Sequence, residues 1–375
     1  MIYFDNAATT RVRPEVMAVF TKTAQDYGNP DSLHQLGRQA KVNMEESRRR
    51  IAKLLGILPE EIIFTSCGSE TNTLAVVGYA LANSYRGKHL ITTNVEHSSM
   101  EHAMDFLESL GYEITRLPIH ENGTISLEEL KNAMRKDTIL VSILHVNNEM
   151  GAINPLKDIA RIVHTHPTCK FHADCTQSFG KEDIPIDQLD LMTMSAHKIH
   201  GLKGSAMLIK KKNIQLCPII QGGQQEQGLR GGTENTPANI ALAKTIRLAL
   251  DEQKASHDNA EKICDYLVKE IKQIPGSHIH SPQGHSPFIL AVSFDGMTSE
   301  VLCNALDAKG VCVSARSTCD SKATGANPVL RAMGVSEHDA THSIRLSFSS
   351  ESTLEEAKAF IKFLKEVLSD YGLPL

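Results

Sequence analysis

Ser195, His197 and Lys198 stand in close succession after an apolar-rich run from Ile186 to Met194, and Gly201 and Gly204 follow them. Such a run delivers the backbone to a strand end, and the glycines turn it. Burial disfavours the charged form of an amine, so a desolvated Lys198 is a poor cation and a good nucleophile. An amine of that kind can form a Schiff base with a carbonyl compound. Ser195 and His197 beside it offer groups that hold an anion such as a phosphate. Taken alone, Ser-x-His-Lys more often marks a surface lysine at a strand end. The decision therefore rests on the remainder of the chain.

Four further stretches follow apolar runs in the same way. Asp174 ends Lys170-Phe171-His172-Ala173, with Gln177 three residues on. A carboxylate beside a pyridine nitrogen keeps that nitrogen protonated, which is what makes pyridoxal phosphate an electron sink. Gln177 could then bond a ring hydroxyl, although Asp174 alone equally suits a helix cap. Gly68 and Ser69 lie in Thr65-Ser66-Cys67-Gly68-Ser69-Glu70-Thr71-Asn72, a strand-to-helix turn whose free N–H groups favour a phosphate. Cys67 reads there as a small turn residue. His97 suits stacking on a planar ring and relaying protons, and Asn148 can bond a ring hydroxyl. Each has a structural explanation by itself. Together, five strand ends converge on one planar, phosphorylated cofactor with a basic ring nitrogen.

These groups need a scaffold that brings strand ends together. Short apolar runs at 62–65, 90–93, 139–144, 171–173, 191–193 and 206–209 alternate with helical patterns at 69–81, 126–134 and 158–164. That order predicts an α/β fold, a mostly parallel sheet with helices on both faces and ligands at the strand ends. A long helical pattern over 237–274, with a break expected near Ala255-Ser256-His257, leads into a smaller α+β region. There, strands are expected at 288–294, 311–314 and 343–348, and helices at 299–309 and 353–368. We place a large domain over 15–257 and a small domain over 1–14 and 258–375.

The bulk properties narrow the function classes. At 375 residues the chain is long enough for two cores. A net charge of −5 and a pI near 6.4 give no basic surface for nucleic acid. No apolar stretch is long enough to span a bilayer, and the start Met-Ile-Tyr-Phe-Asp5 has no secretory pattern. Eight cysteines without C-x-x-C spacing read as reduced thiols, so a cytoplasmic enzyme is expected. The pairs His164-x-His166 and His278-x-His280 lack partner ligands at helical or turn spacing, and no metal is expected.

Six stretches then carry a resemblance that runs from the first residues to the last helix. They are Tyr3-Phe4-Asp5-Asn6-Ala7-Ala8-Thr9-Thr10, Gly28-Asn29-Pro30-Asp31-Ser32-Leu33-His34, Thr65 to Glu70, His145-Val146-Asn147-Asn148-Glu149, Asp174-Cys175-Thr176-Gln177-Ser178, and Ser195 to Gly201. In combination the sequence resembles the cysteine desulfurases of the pyridoxal-phosphate-dependent class V aminotransferase superfamily. The resemblance implies fold type I, with a mostly parallel seven-stranded sheet in the large domain. It implies that Lys198 holds pyridoxal 5'-phosphate and acts as base on the α-proton of L-cysteine. Asp174 would pair with the ring nitrogen, His97 would stack on the ring, and Asn148 and Gln177 would sit near its oxygen. Gly68, Ser69, Ser195 and His197 would bind the phosphate. Thr233 would reach the phosphate of a partner subunit in a homodimer, and Arg345 would clamp the substrate carboxylate, for which its planar fork is suited.

The same resemblance makes Cys319, in Val313-Ser314-Ala315-Arg316-Ser317-Thr318-Cys319-Asp320, the thiol that takes sulfur as a persulfide. A reactive thiol needs access and thiolate character. The small, polar surroundings of Cys319 supply access, Arg316 and Lys322 favour the thiolate, and Asp320 opposes it. Cys312 reads as packing. An iron–sulfur scaffold protein or a tRNA-thiolating enzyme is the expected sulfur acceptor, the short end after the last helix making the second as plausible as the first. The sequence departs from the family pattern at Cys67, Leu202, Gln227, Gly231 and Ser349. A selenocysteine lyase, or another lyase or transaminase on the same fold, is the alternative reading.

Overall fold

The computed structural model describes residues 1–315 and 325–375. Its twelve strands among the described residues are β1 (Ile2–Tyr3), β2 (Ile62–Thr65), β3 (His89–Thr93), β4 (Glu113–Leu117), β5 (Thr138–Leu144), β6 (Lys170–Asp174), β7 (Leu191–Ser195), β8 (Ala206–Lys210), β9 (Ser277–Ile279), β10 (Ile289–Phe294), β11 (Val311–Cys312) and β12 (Ser343–Ser347). Seven of them form one sheet in the order β2-β8-β7-β6-β5-β3-β4. Only β8 runs against the others, pairing antiparallel with β2 and β7. The remaining pairs are parallel. The α/β class and the mostly parallel seven-stranded sheet follow the sequence reading.

The strands are apolar along their length because helices cover both faces. Alternate side chains divide between two cores, with Ile62, Phe64, Met192 and Met194 in one and Ile63, Leu90, Leu140 and Leu191 in the other. β4 is the sheet member that the apolar runs do not reveal. It is an edge strand, and Glu113, Ile114, Thr115 and Arg116 in it all keep some exposure, so no apolar run marks it.

A second region pairs β12, β10 and β9 antiparallel, and β1 lies parallel to β11 beside it. Its core joins Phe4 to Phe348 and Phe360, with the Phe4 and Phe348 rings edge-on at 5.0 Å. The break expected near Ala255-Ser256-His257 is absent. One helix, Thr236–Ile271, runs unbroken for 36 residues. Its first half buries Leu242 and Ile246 in the sheet's core, and its second half buries Ile263, Leu267 and Ile271 in the other. Packing on both sides outweighs the weak helix preference of Ser256 and His257. Among the described residues, no helix is long and apolar enough to cross a membrane.

Candidate active site

Parallel strands end on one edge, and that edge carries a cavity of about 300 Å³. It is lined by Gly68 and Ser69 after β2, His97 after β3, Asn148 after β5, Asp174 and Gln177 at and after β6, and Ser195, His197 and Lys198 at and after β7. Arg345 enters from β12, and Ala7 and Ala8 close one wall. Ten of the sequence-expected residues therefore meet in one place. Thr233 does not; it is exposed and lines a separate cavity with Arg230 and Glu234. Cys319 lies outside the described residues.

Lys198 ends a single 3-10 turn, Ala196–Lys198, directly after β7. Its Nζ donates to the carbonyl oxygens of Ala7 at 2.5 Å and Ala8 at 2.8 Å, so the N-terminal segment fixes the amine at the cavity wall. The turn needs Gly201: a Cβ there would stand 2.7 Å from both the Ala196 Cβ and the Thr245 Cγ2. His200 adopts a left-handed φ of 62° and is held by Thr10 Oγ1, which accepts from its N–H at 2.7 Å.

Asp174 is buried, and both of its oxygens are engaged from the side. Oδ2 accepts from Asn72 Nδ2 at 2.8 Å and Oδ1 from the Thr176 N–H at 2.9 Å. Asn72 also donates to Ser99 Oγ at 3.0 Å, and Ser99 Oγ lies 2.8 Å from His97 Nδ1. Because the Ser99 N–H also donates to His97 Nδ1, that nitrogen is the acceptor and Nε2 carries the ring proton. His97 caps the helix Ser98–Ser109 in the same contact. Gln177 Nε2 donates to the Ala7 carbonyl at 2.9 Å. Cys67, likewise a cap, accepts from the Glu70 N–H, in line with a turn role.

Burial favours the uncharged forms of side chains in and beside the cavity. Burial, and then the neighbouring Lys198, Lys203 and Lys181, lower the His197 imidazole to about 4. Lys181 is buried and is lowered to about 7, first by desolvation and then by Lys198. Glu96, directly before His97, is pushed up to about 8 by burial, although the Leu144 N–H and the Thr93 hydroxyl oppose the shift. Arg345 meets two carboxylates, Glu149 Oε1 at 3.0 Å and Asp5 Oδ1 at 3.1 Å.

Sequence reading missed Asn72, Ser99, Thr176, Glu149 and Lys181 as members of this network. Asn72 was within reach: it falls four residues after Gly68, on the same helix face. The rest are brought in by tertiary contact. His278 also gains neighbours that spacing does not show, exposed Asp295 and half-buried Asp339.

The chain matches the family model Aminotransferase class-V over residues 2–360. It is 41% identical to the NifS/IcsS protein homolog of Lactobacillus delbrueckii subsp. bulgaricus, covering 99% of this chain and 98% of that protein. It is 38% identical to cysteine desulfurase IscS of Dictyoglomus turgidum, covering 98% and 94%. The chain belongs to the cysteine desulfurase family. A solved structure named NifS-like protein superposes with a TM-score of 0.92 at 36% identity, covering 98% of this chain and 99% of that one. Cysteine desulfurases of this family depend on pyridoxal 5'-phosphate, and the cavity fits that group. Gln177 Oε1, Thr176 Oγ1, Ser195 Oγ and Asn72 Oδ1 are buried there without a hydrogen-bond partner among the described residues. Such atoms are costly unless a ligand satisfies them. A Cβ on Gly68 would stand 3.6 Å from Thr176 Oγ1 and 3.9 Å from Ser195 Cβ, so the glycine keeps a space open between two orphaned hydroxyls.

Proposed function

We propose that this cysteine desulfurase takes L-cysteine, releases L-alanine and leaves the sulfur on Cys319 as a persulfide. The observation that carries the site assignment is the meeting of Lys198, Asp174, His97 and the orphaned hydroxyls in one cavity that Arg345 also lines. Bound pyridoxal phosphate supplies an electron sink that acidifies the substrate's α-proton and loosens its bond to sulfur.

The chain's own residues would do the rest. Lys198 Nζ anchors the cofactor and moves the α-proton. Asp174, fixed by Asn72 and the Thr176 N–H, keeps a proton on the ring nitrogen. His97 would lie against the ring, with Asn148 and Gln177 placed to bond its oxygen. Gly68, Ser69, Ser195 and His197 hold the phosphate; a His197 that stays neutral does so as a hydrogen-bond donor. Arg345 receives the substrate carboxylate. Cys319 attacks the substrate sulfur: the C–S bond breaks, an S–S bond forms, and the carbon takes a proton and leaves as alanine.

Thr233 is exposed and stands apart from its own chain's cavity, which supports a homodimer in which it reaches the partner's phosphate. The persulfide then passes to an iron–sulfur scaffold protein or a tRNA-thiolating enzyme in the cytoplasm. The two cores packed on one helix support a large domain over 15–257 and a small one over 1–14 and 258–375. The experiment is Cys319→Ala. It should keep the cofactor's visible absorbance and lose alanine release from L-cysteine. Release at the parent rate would overturn the persulfide reading, and borohydride label on any residue but Lys198 would overturn the anchor.

A further inference from the structure

Arg345 is tied to both ends of the segment that carries Cys319. On the near side its backbone pairs with Ser314: the Arg345 N–H donates to the Ser314 carbonyl at 2.7 Å, and the Ser314 N–H donates back at 3.2 Å. On the far side the link runs through side chains. Arg345 Nη1 donates to Glu149 Oε1 at 3.0 Å, and Asn327 Nδ2 donates to Glu149 Oε2 at 2.9 Å. Asn327 in turn caps the helix Pro328–Ala332, with Oδ1 accepting from the Val329 and Leu330 N–H groups.

Glu149 is built to be rigid. Its N–H donates to Asn147 Oδ1 at 2.8 Å, and its Oε1 also accepts from Asn148 Nδ2 at 2.7 Å. Glu149, Asn327 and Arg345 are all buried, at 4%, 4% and 3% exposure. Buried charge-assisted hydrogen bonds of this kind hold geometry strongly, because losing one leaves a desolvated group unpaired. A small cavity of about 70 Å³ touches Glu149, Asn327, Asn148 and His97, so the link borders the ring position and the substrate position together.

We propose that Glu149 is a positioning residue for sulfur transfer: through Asn327 it fixes the far end of the Cys319 segment relative to Arg345, and hence to the sulfur of a cysteine whose carboxylate Arg345 holds. This rests on the reading of Cys319 as the sulfur acceptor. Nothing in the link touches substrate sulfur, and Asn327 touches Glu149 but not Arg345, so loss of the Asn327 half acts on the transfer step, whereas loss of Glu149's charge also reaches Arg345.

The hydrogen-bond polarity supplies a test. In E149Q an amide faces the Asn327 amide, and in N327D two carboxylates face each other; each mispairs the link. The double variant E149Q/N327D restores it with donor and acceptor exchanged, and aspartate remains a good helix cap. Holoenzyme kcat for alanine formation should fall about 10- to 100-fold in either single variant and recover in the double, with KM for L-cysteine little changed in N327D, whose substituted residue does not touch Arg345. L-alanine, which offers the same carboxylate, should alter the rate at which iodoacetamide modifies Cys319 in the parent and the double variant but not in the singles. Each single variant probes the link independently if the other does not fold, with cofactor absorbance as the measure of folding. Parent-like kcat in the singles, or no recovery in the double, overturns the role of Glu149. Parent-rate alanine release by Cys319→Ala overturns the underlying reading instead, so the two failures are distinguishable.

Discussion

Asn72 donates to Asp174 across 102 residues of sequence, 2.8 Å from Nδ2 to Oδ2. With the Thr176 N–H on the other oxygen, it sets the plane of the buried carboxylate that we propose pairs with the cofactor's ring nitrogen. Asn72→Ala removes the hydrogen bond and leaves Asp174 with one fixed oxygen. A hydrogen bond to a charged group contributes about 1.5–3 kcal/mol. Cofactor affinity should weaken roughly 10- to 100-fold on that basis, with a shifted visible band. Titration of apoenzyme with pyridoxal phosphate checks both, and an unaltered affinity would remove Asn72 from the site.

Gly68 has an ordinary φ, so its role lies in the space it leaves between Thr176 and Ser195. A methyl group meets nothing closer than 3.6 Å, so Gly68→Ala should fold with little change in thermal stability. It fills the room between two orphaned hydroxyls, and cofactor retention after dialysis should fall at least tenfold. Gly201→Ala should behave in the opposite way, losing stability first, because its Cβ would collide at 2.7 Å with Ala196 and Thr245.

Arg48 and Glu226 form a buried bidentate pair, with Nη2–Oε1 at 2.7 Å and Nη1–Oε2 at 3.0 Å. Arg48 also donates to the Ile62 carbonyl, and Glu226 accepts from the Phe64 N–H, so the pair staples β2 to the loop that leads to Thr233. Glu226 holds this place at a left-handed φ of 48°. Removing one partner of such a pair costs about 3–5 kcal/mol. Glu226→Ala should lower the unfolding midpoint accordingly and, by freeing the Thr233 loop, speed cofactor loss. Denaturant unfolding of holoenzyme measures the first effect.

The residues at strand ends were legible because a strand buried on both faces is apolar throughout, and a polar residue at its end stands out. β4 was not, since its outer edge is solvated and its sequence, Glu-Ile-Thr-Arg-Leu, carries no apolar run. Ser256 and His257 suggested a helix break from local preference alone, whereas two cores far apart in sequence keep that helix straight through. The partners of the site were hidden for a related reason. Glu149 meets Asn327 across 178 residues and Arg345 across 196, and no spacing rule reaches that far. Types of residue could be read from the chain; which carboxylate faces which amide required the fold.

Lys181 supplies a prediction in pH. It is buried beside Phe288, its Nζ 5.6 Å from the ring centroid, and shares a small cavity with Lys198 and His200. Desolvation, then the charge of Lys198, lowers its pKa from 10.5 to about 7, against a smaller pull from Glu182. The folded state therefore resists a proton that the unfolded chain accepts at any pH below 10.5. Where the unfolded state binds more protons, stability rises with pH. The contribution of Lys181 should thus be fully present above pH 10.5 and be lost as pH falls to about 7, at up to about 1.4 kcal/mol per pH unit. Lys181→Met keeps the packing on Phe288 and removes the proton. Its unfolding free energy should exceed that of the parent at pH 7 and converge with it towards pH 10. Parallel stability curves for the two proteins across that range would show that the amine is charged in the folded state.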